Sequence, residues 1–288
     1  MERKSPRITH FFLTRFNLPL WKQDKKGGTT LTDAWLQERM RLFEHYTYAS
    51  LLSQTCKQFF CVVLLDELTP AWCKDTFSQW TDRLPQLRPV YVSRQEECNP
   101  CLLSQRYIAD YFDSIGRMPE GIVLTSYLDS DDAISADFVE RMRQEAVGAS
   151  VHTFFTFKYG VQWFDEYGIG TRICYPNNHF ITLVEHEDEV RTCFDFGGHF
   201  FLFQQKDVTI RVLKDEQMWM EVIHRGNVDN DVKMTFHTSL IHQVDDLLAR
   251  FGLRVSKSRH PKCTFATRFM VRAVGQVWRR AINKLKCS

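Results

Sequence analysis

The segment "TSYLDSDDAI", residues 125–134, begins as an apolar strand and closes on three carboxylates in four positions, Asp129, Asp131 and Asp132. Carboxylates this close repel one another and raise each other's pKa, so the cluster is either solvated or prepared for a cation. A helix start accounts for one of them, with Asp132 or Ser135 as the N-cap, but accounts poorly for all three. A calcium loop counted from Asp129 puts Asp131, Asp137 and Glu140 in liganding positions. It fails because Ile134 falls where glycine must make the sharp turn and Ala133 where a ligand is needed. What remains is a hard divalent cation, Mg or Mn, held by one or two carboxylates and completed by phosphate oxygens of a substrate. Asp129 and Asp131 form an Asp-x-Asp pair suited to stabilising charge on a departing diphosphate.

Such a cluster needs a scaffold. "ITHFFLTRFN" (8–17) reads as a strand and its loop, and "KQDKKGGTT" as a polar loop leading to a helix start at Thr32 or Asp33. Leu36, Met40, Phe43 and Tyr46 then recur at helical spacing in a segment reaching Gln54. "FFCVVLLDELTP" is a strand buried on both faces, stopping at Asp66 and punctuated by Pro70. "PVYVS" is a shorter strand, "LLSQRYIADYFDSI" a helix, "GIVLTSYLD" a third buried strand and "SADFVERMRQEAV" the helix after it. This alternation predicts an α/β fold with a mostly parallel sheet, in which ligands gather beyond the carboxyl ends of the strands. Arg15 and Asn17, Asp66 and Glu67, and the three aspartates are therefore expected to converge. Beyond residue 150, "VHTFFTFKYGVQWF", "FITLVEH" and "HFFLFQQKDVTIRVL" read as strands and "DEQMWMEVIHR" as a helix. No repeat or low-complexity linker divides the chain, so a single domain is expected over 1–251.

With 288 residues, 44% hydrophobic and 14% aromatic, the chain can bury a sizeable core, which excludes a disordered protein. No apolar run approaches the roughly 18 residues of a spanning helix, and the basic start lacks the small-residue site of a secretory signal. Nine scattered cysteines without an export signal predict reduced thiols and a cytoplasmic location. The close pair in "CNPC", Cys98 and Cys101, has no second pair or matching histidines to complete a zinc site. The net charge of +2 hides an asymmetry: residues 252–288 hold ten of the 37 Lys and Arg and none of the 35 Asp and Glu. In that tail Val271, Val274, Trp278, Ile282 and Leu285 line one helical face. A basic amphipathic helix of this kind can lie at an anionic membrane surface or pack on the domain. No nucleic-acid motif accompanies the charge, and no nucleic-acid partner is expected.

The order "LTRFN", "YASLLSQTCKQFFCVVLLDELTP" and "TSYLDSDDAISADFV" resembles glycosyltransferases of the GT-A fold, in particular the inverting family-2-type enzymes. With "WMEVIHRGN" the likeness is nearest to the rhamnosyltransferase group, and it covers roughly residues 8–230. The resemblance implies a Rossmann-like, mostly parallel sheet flanked by helices. It also implies a nucleotide-diphospho-sugar donor, a Mn or Mg cofactor and a glycan or lipid-linked acceptor. Carried over, Arg15 and Asn17 would lie near the nucleotide and Asp66 would bond its base. Asp129 would face ribose or metal, with Asp132 beside it, and Asp131 would ligate the metal. Arg106 is a further phosphate or base contact, although the usual Ala-Arg-Asn sequence is absent; "DELTP" also departs from the usual Asp-Asp-Gly-Ser.

Such a reaction needs a general base for the acceptor hydroxyl. The family places an acidic residue downstream; Asp215 and Glu216 are the nearest equivalents and Glu185 a rival, while the first two also suit a helix N-terminus. His199 and His224 are candidate metal or diphosphate ligands, against the ordinary reading of each as a structural histidine. A sugar nucleotidyltransferase stays open as an alternative, though "LTRFNLPL" lacks the expected glycine-rich phosphate loop. So does a non-catalytic nucleotide-sugar-binding protein, which the retained aspartates argue against. A haloacid-dehalogenase-type hydrolase would need an aspartate where Arg15 and Asn17 stand.

Overall fold

An unbroken apolar strand needs cover on both sides, and the first strand shows how the chain supplies it. In β1 (Ile8–Arg15) Phe11 and Leu13 point into one fully buried cluster and Phe12 into another, following the alternation of side chains along a strand. The structure, a computed structural model, describes residues 6–20, 32–95, 98–118, 120–197, 202–224, 233 and 238–254. His199 and the basic stretch 255–288 lie outside them.

β1 is flanked in parallel by β2 (Phe59–Asp66), then β3 (Leu87–Val92), on one side and by β4 (Ile122–Tyr127) on the other. The connections are helical. Between β1 and β2 run α1 (Asp33–Leu42), a π-helical stretch (Phe43–Tyr48) and α2 (Ala49–Leu52) without a break. α1 starts as expected: the side chain of Thr32 accepts from the Trp35 N–H. Between β2 and β3 lies α3 (Ala71–Arg83), which the sequence reading passed over after Pro70. Its buried Cys73, Phe77 and Trp80, at steps of four and three, carry the helical signal. α4 (Pro100–Ile115) leads into β4, with Pro100 in its first turn and Asn99 capping the N–H groups of Cys101 and Leu102. After β4 come the two-residue β5 (Ala133–Ile134) and α5 (Phe138–Ala146).

The second half extends this sheet and builds another. β6 (Thr153–Phe157), β7 (Tyr159–Phe164), β8 (Ile169–Cys174) and β9 (Thr182–His186) follow, then β10 (Thr209–Leu213), β11 (Trp219–Ile223), β12 (Ser239–Leu240) and α6 (Val244–Arg250). The large sheet has the order β10-β6-β9-β4-β1-β2-β3, and β9 is its antiparallel member. This is the mixed α/β, mostly parallel sheet that was expected. The smaller sheet has the order β12-β8-β7-β11-β5. Two expectations are corrected here. "DEQMWMEVIHR" is not a helix: Trp219–Ile223 is a strand held between β7 and β5, tertiary pairing overriding its helix-forming Met and Glu. Within "HFFLFQQKDVTIRVL", only Thr209–Leu213 is strand among the described residues.

One glycine ties the sheets' neighbours together. Gly252, at φ +67, follows α6, and a Cβ there would stand 2.1 Å from that of Ser53. Only glycine lets α6 close against the end of α2. No helix among the described residues is long and apolar enough to cross a membrane.

Candidate active site

The carboxyl ends of β1, β2 and β4 meet as the alternation predicted. At the end of β2, Asn17 accepts a hydrogen bond from the Asp66 N–H at 3.1 Å and donates to Thr69 at 2.9 Å. It braces the β2–α3 turn. The Asp66 carboxylate accepts from the Leu68 N–H at 2.9 Å and takes a two-point contact from Arg94, at 2.6 and 3.0 Å. Burial works to raise the Asp66 pKa, but Arg94 and the Leu68 N–H outweigh it and hold the carboxyl below its ordinary value. Arg94, in the loop after β3, was not anticipated. Arg106 instead lies exposed on α4.

At the ends of β1 and β4, Arg15 donates to the Tyr127 hydroxyl, which donates to Asp129. Arg15 lies 3.7 Å from the Asp129 carboxylate, its guanidinium over the rings of Tyr127 and Phe194 at 5.2 and 5.9 Å.

The loop carrying the three aspartates is clamped from the π-helical stretch. The Thr47 hydroxyl donates to the carbonyls of Asp132 at 2.8 Å and Asp129 at 3.2 Å, a use of π geometry common at functional sites. Gln54, of the Ser-x-x-x-Gln-Thr segment, donates to the Ser135 carbonyl at 2.8 Å and accepts from the Val139 N–H at 3.1 Å. That segment therefore acts by fixing the start of α5.

The three carboxylates have different fates. Asp129 is the most open. Asp131 accepts from Arg39 at 2.7 Å and shares a 2.8 Å contact with His224; burial favours its neutral form, but these two partners hold its pKa well below the usual range. Asp132 is fully buried, taking the Val222 N–H at 2.8 Å on one oxygen and His179 at 2.7 Å on the other. Burial pushes Asp132 up to about 7. Burial also opposes charge on His179, yet the hydrogen bond and charge of Asp132 overcome it and raise its pKa.

Asp129, Asp132 and His179 offer ligand atoms that all lie within 4.8 Å of one another. The sequence reading missed His179 because an isolated histidine in "PNNHF" has no spacing to recommend it. Asp131 and His224 reach the same rim but bond to each other. Asp215 and Glu216 do not. They precede β11, whereas His224 follows it, leaving about 13 Å of strand between. Asp215 pairs with Arg141 at 2.9 Å and Glu216 with Arg172 at 3.1 Å, and the Arg141 hydrogen bond lowers the Asp215 pKa. Glu185 lies in β9, buried, with both oxygens on backbone N–H groups.

Residues 12–236 match the model of a family described as "Putative rhamnosyl transferase". The chain belongs to that family. No curated protein matches the transferase. Among solved structures it is similar to Staphylococcus aureus TarS (residues 1–349, in complex with UDP), at 12% identity and a TM-score of 0.42, covering 75% of this chain and 60% of that one. A "putative nucleotide-diphospho-sugar transferase" from Desulfovibrio desulfuricans G20 is similar at 13% identity and 0.36, covering 75% and 82%. A 4-diphosphocytidyl-2C-methyl-D-erythritol synthase is similar at 12% and 0.27, covering 54% and 59%. The transferase thus spans less than two thirds of the TarS fragment, and overlaps this loose fix no residue's role.

Proposed function

We propose that the transferase moves a sugar, with inversion, from a nucleotide-diphospho-sugar to an acceptor hydroxyl, using a divalent cation held by Asp129, Asp132 and His179. The reading is carried by one observation: two carboxylates and an imidazole converge at the end of β4, beside the edge formed by Arg15, Asp66 and Arg94. Carboxylate oxygens suit Mg or Mn, and the imidazole nitrogen tilts the set toward Mn. When bound, such a cation neutralises charge developing on the departing diphosphate.

The chain's own residues do the rest. Asp66 presents a carboxylate acceptor to the edge of a base, and Arg94, paired with it, is the donor at its side. Arg15 brings positive charge against Asp129, where a diphosphate would lie, and the Tyr127 and Phe194 rings restrict its motion. Asp131 holds His224 and Arg39 at the rim, and both are further candidate contacts to the donor, whereas Asn17 serves the nucleotide side by bracing the turn that carries Asp66. Asp131 and His224 are the rival ligand pair. The family description makes rhamnose the first sugar to test, and a glycan or lipid-linked alcohol the acceptor class. The basic amphipathic stretch after residue 254 would bring the enzyme to an anionic cytoplasmic leaflet; co-sedimentation with anionic vesicles, lost in a chain ending at 254, would support that.

The test is incubation with TDP-, UDP- and GDP-linked sugars in Mn, in Mg or in EDTA, following nucleoside diphosphate release. Metal-dependent release from one donor, and a product of inverted anomeric configuration, is expected. Pyrophosphate release from a nucleoside triphosphate and a sugar phosphate would instead select the nucleotidyltransferase alternative.

A further inference from the structure

Glu185 has no place in the chemistry above, yet it is among the most deeply buried acids in the chain, 1% exposed. Its two oxygens accept from consecutive backbone N–H groups, Arg191 at 2.8 Å and Thr192 at 3.0 Å. Thr192 stands at φ +71. A β-branched residue in the left-handed region is an outlier that persists only where its surroundings over-determine it. Those surroundings are visible. From α4, Gln105 donates to the Arg191 carbonyl at 2.7 Å and the Cys101 thiol approaches it at 3.6 Å. From β4, the Thr125 hydroxyl accepts from the Cys193 N–H at 2.9 Å.

The next residue shows what the strained turn achieves. Phe194, half-buried, meets the Tyr127 ring edge-on at 5.3 Å and lies 5.9 Å from the Arg15 guanidinium. Arg15 and Tyr127 in turn hold Asp129. A chain of contacts therefore runs from Glu185 through the turn at Arg191–Cys193 to Phe194 and the donor site. We propose that Glu185 is a positioning residue for donor binding: it pins the left-handed turn that sets Phe194 against Arg15 and Tyr127. The proposal rests on the reading of Arg15, Tyr127 and Asp129 as the donor site.

Glu185→Gln keeps the shape, but its amide turns an N–H toward one of the two backbone N–H groups and releases the turn. Phe194→Ala removes the end of the chain without touching the turn. Binding of UDP, TDP and GDP in excess Mn is measured by calorimetry for the wild type, Arg15→Ala, the two single variants and their double variant. Each single variant is expected to weaken the best-bound nucleotide on the order of 10-fold. The double variant is expected to be no weaker than Phe194→Ala, as for residues acting through one another. Turnover at saturating donor should stay near wild type, placing the effect in KM. Losses that multiply, or a Glu185→Gln variant that binds like the wild type, overturn the proposal. If Arg15→Ala binds normally, or no nucleotide binds the wild type, the donor-site reading itself is wrong. Hydrogen exchange of the free protein tests the turn without any ligand: faster exchange at Arg191–Phe194 is expected in Glu185→Gln and not in Phe194→Ala. Unchanged exchange in Glu185→Gln overturns the proposal independently.

Discussion

Replacing His179 with glutamine separates the two ligand sets that the rim offers. His179 lies 2.7 Å from Asp132 and 3.9 Å from Asp129, so its loss removes one of three converging ligands. Even a residue that merely supports a metal ligand is worth about 10- to 100-fold in affinity. With Mn at about 100 times its wild-type Kd, binding stabilises the fold by about 2.7 kcal/mol, and a 100-fold weaker site retains only about 0.4 kcal/mol at the same concentration. At about 2–4 °C per kcal/mol for a domain of this size, the Mn-induced rise in Tm should fall from about 5–10 °C to about 1 °C. The metal-free variant should also melt lower, having lost a hydrogen bond to a carboxylate worth about 1.5–3 kcal/mol. That cost is limited because Asp132, already pushed up to about 7, can take a proton. Differential scanning fluorimetry with and without Mn reads both effects. If His179→Gln keeps the full Mn response while Asp131→Asn or His224→Gln abolishes it, the metal belongs to Asp131 and His224 and the reasoning fails.

Asp215→Asn and Glu216→Gln should each lower kcat far less than the roughly 10²- to 10⁴-fold of a lost general base, since both acids are arginine partners at the far end of β11; a drop of that size in either would restore it as the base. Gly160→Ala should destabilise by about 1–3 kcal/mol or more, because its Cβ would stand 2.1 Å from the buried Trp219 ring. That ring stacks on Phe180, and Phe180 on His179, so the Mn response should weaken as well; an unaltered Tm would count against this packing. Burial pushes Glu185 from its ordinary 4.5 up to about 7 against its two backbone N–H partners, with Arg191 lowering and Asp195 raising it. A raised folded pKa means that its stabilising contribution is full below about 4.5 and fades as pH rises through 7, a difference of about 3 kcal/mol. Glu185→Gln should flatten the stability profile over that window, and a profile identical to wild type in urea titrations would contradict the shift.

The sequence alone determined the parallel half of the large sheet. Apolar runs such as "FFCVVLLD" can be buried only as strands covered on both faces, and their polar ends then fall on one edge whatever the details. Arg15, Asn17, Asp66 and the aspartates at 129–132 were legible for that reason, as was α1 from its cap and spacing. Tertiary structure decided which carboxylate does what. Asp131 and Asp132 are neighbours of one residue type, distinguished by Arg39 and His224 around the first and by His179 and the Val222 N–H around the second. Those partners come from residues 47 to 93 positions away in the chain, and no local pattern announces them. The same holds for β11, where Met and Glu favoured a helix until pairing with β7 and β5 made a strand. Local propensity amounts to tenths of a kcal/mol per residue, whereas a strand buried between two others gains its hydrogen bonds and the burial of Trp219, Met220 and Val222 together. Side-chain charge and backbone preference are properties of the sequence; desolvation and partnership exist only once the chain has closed.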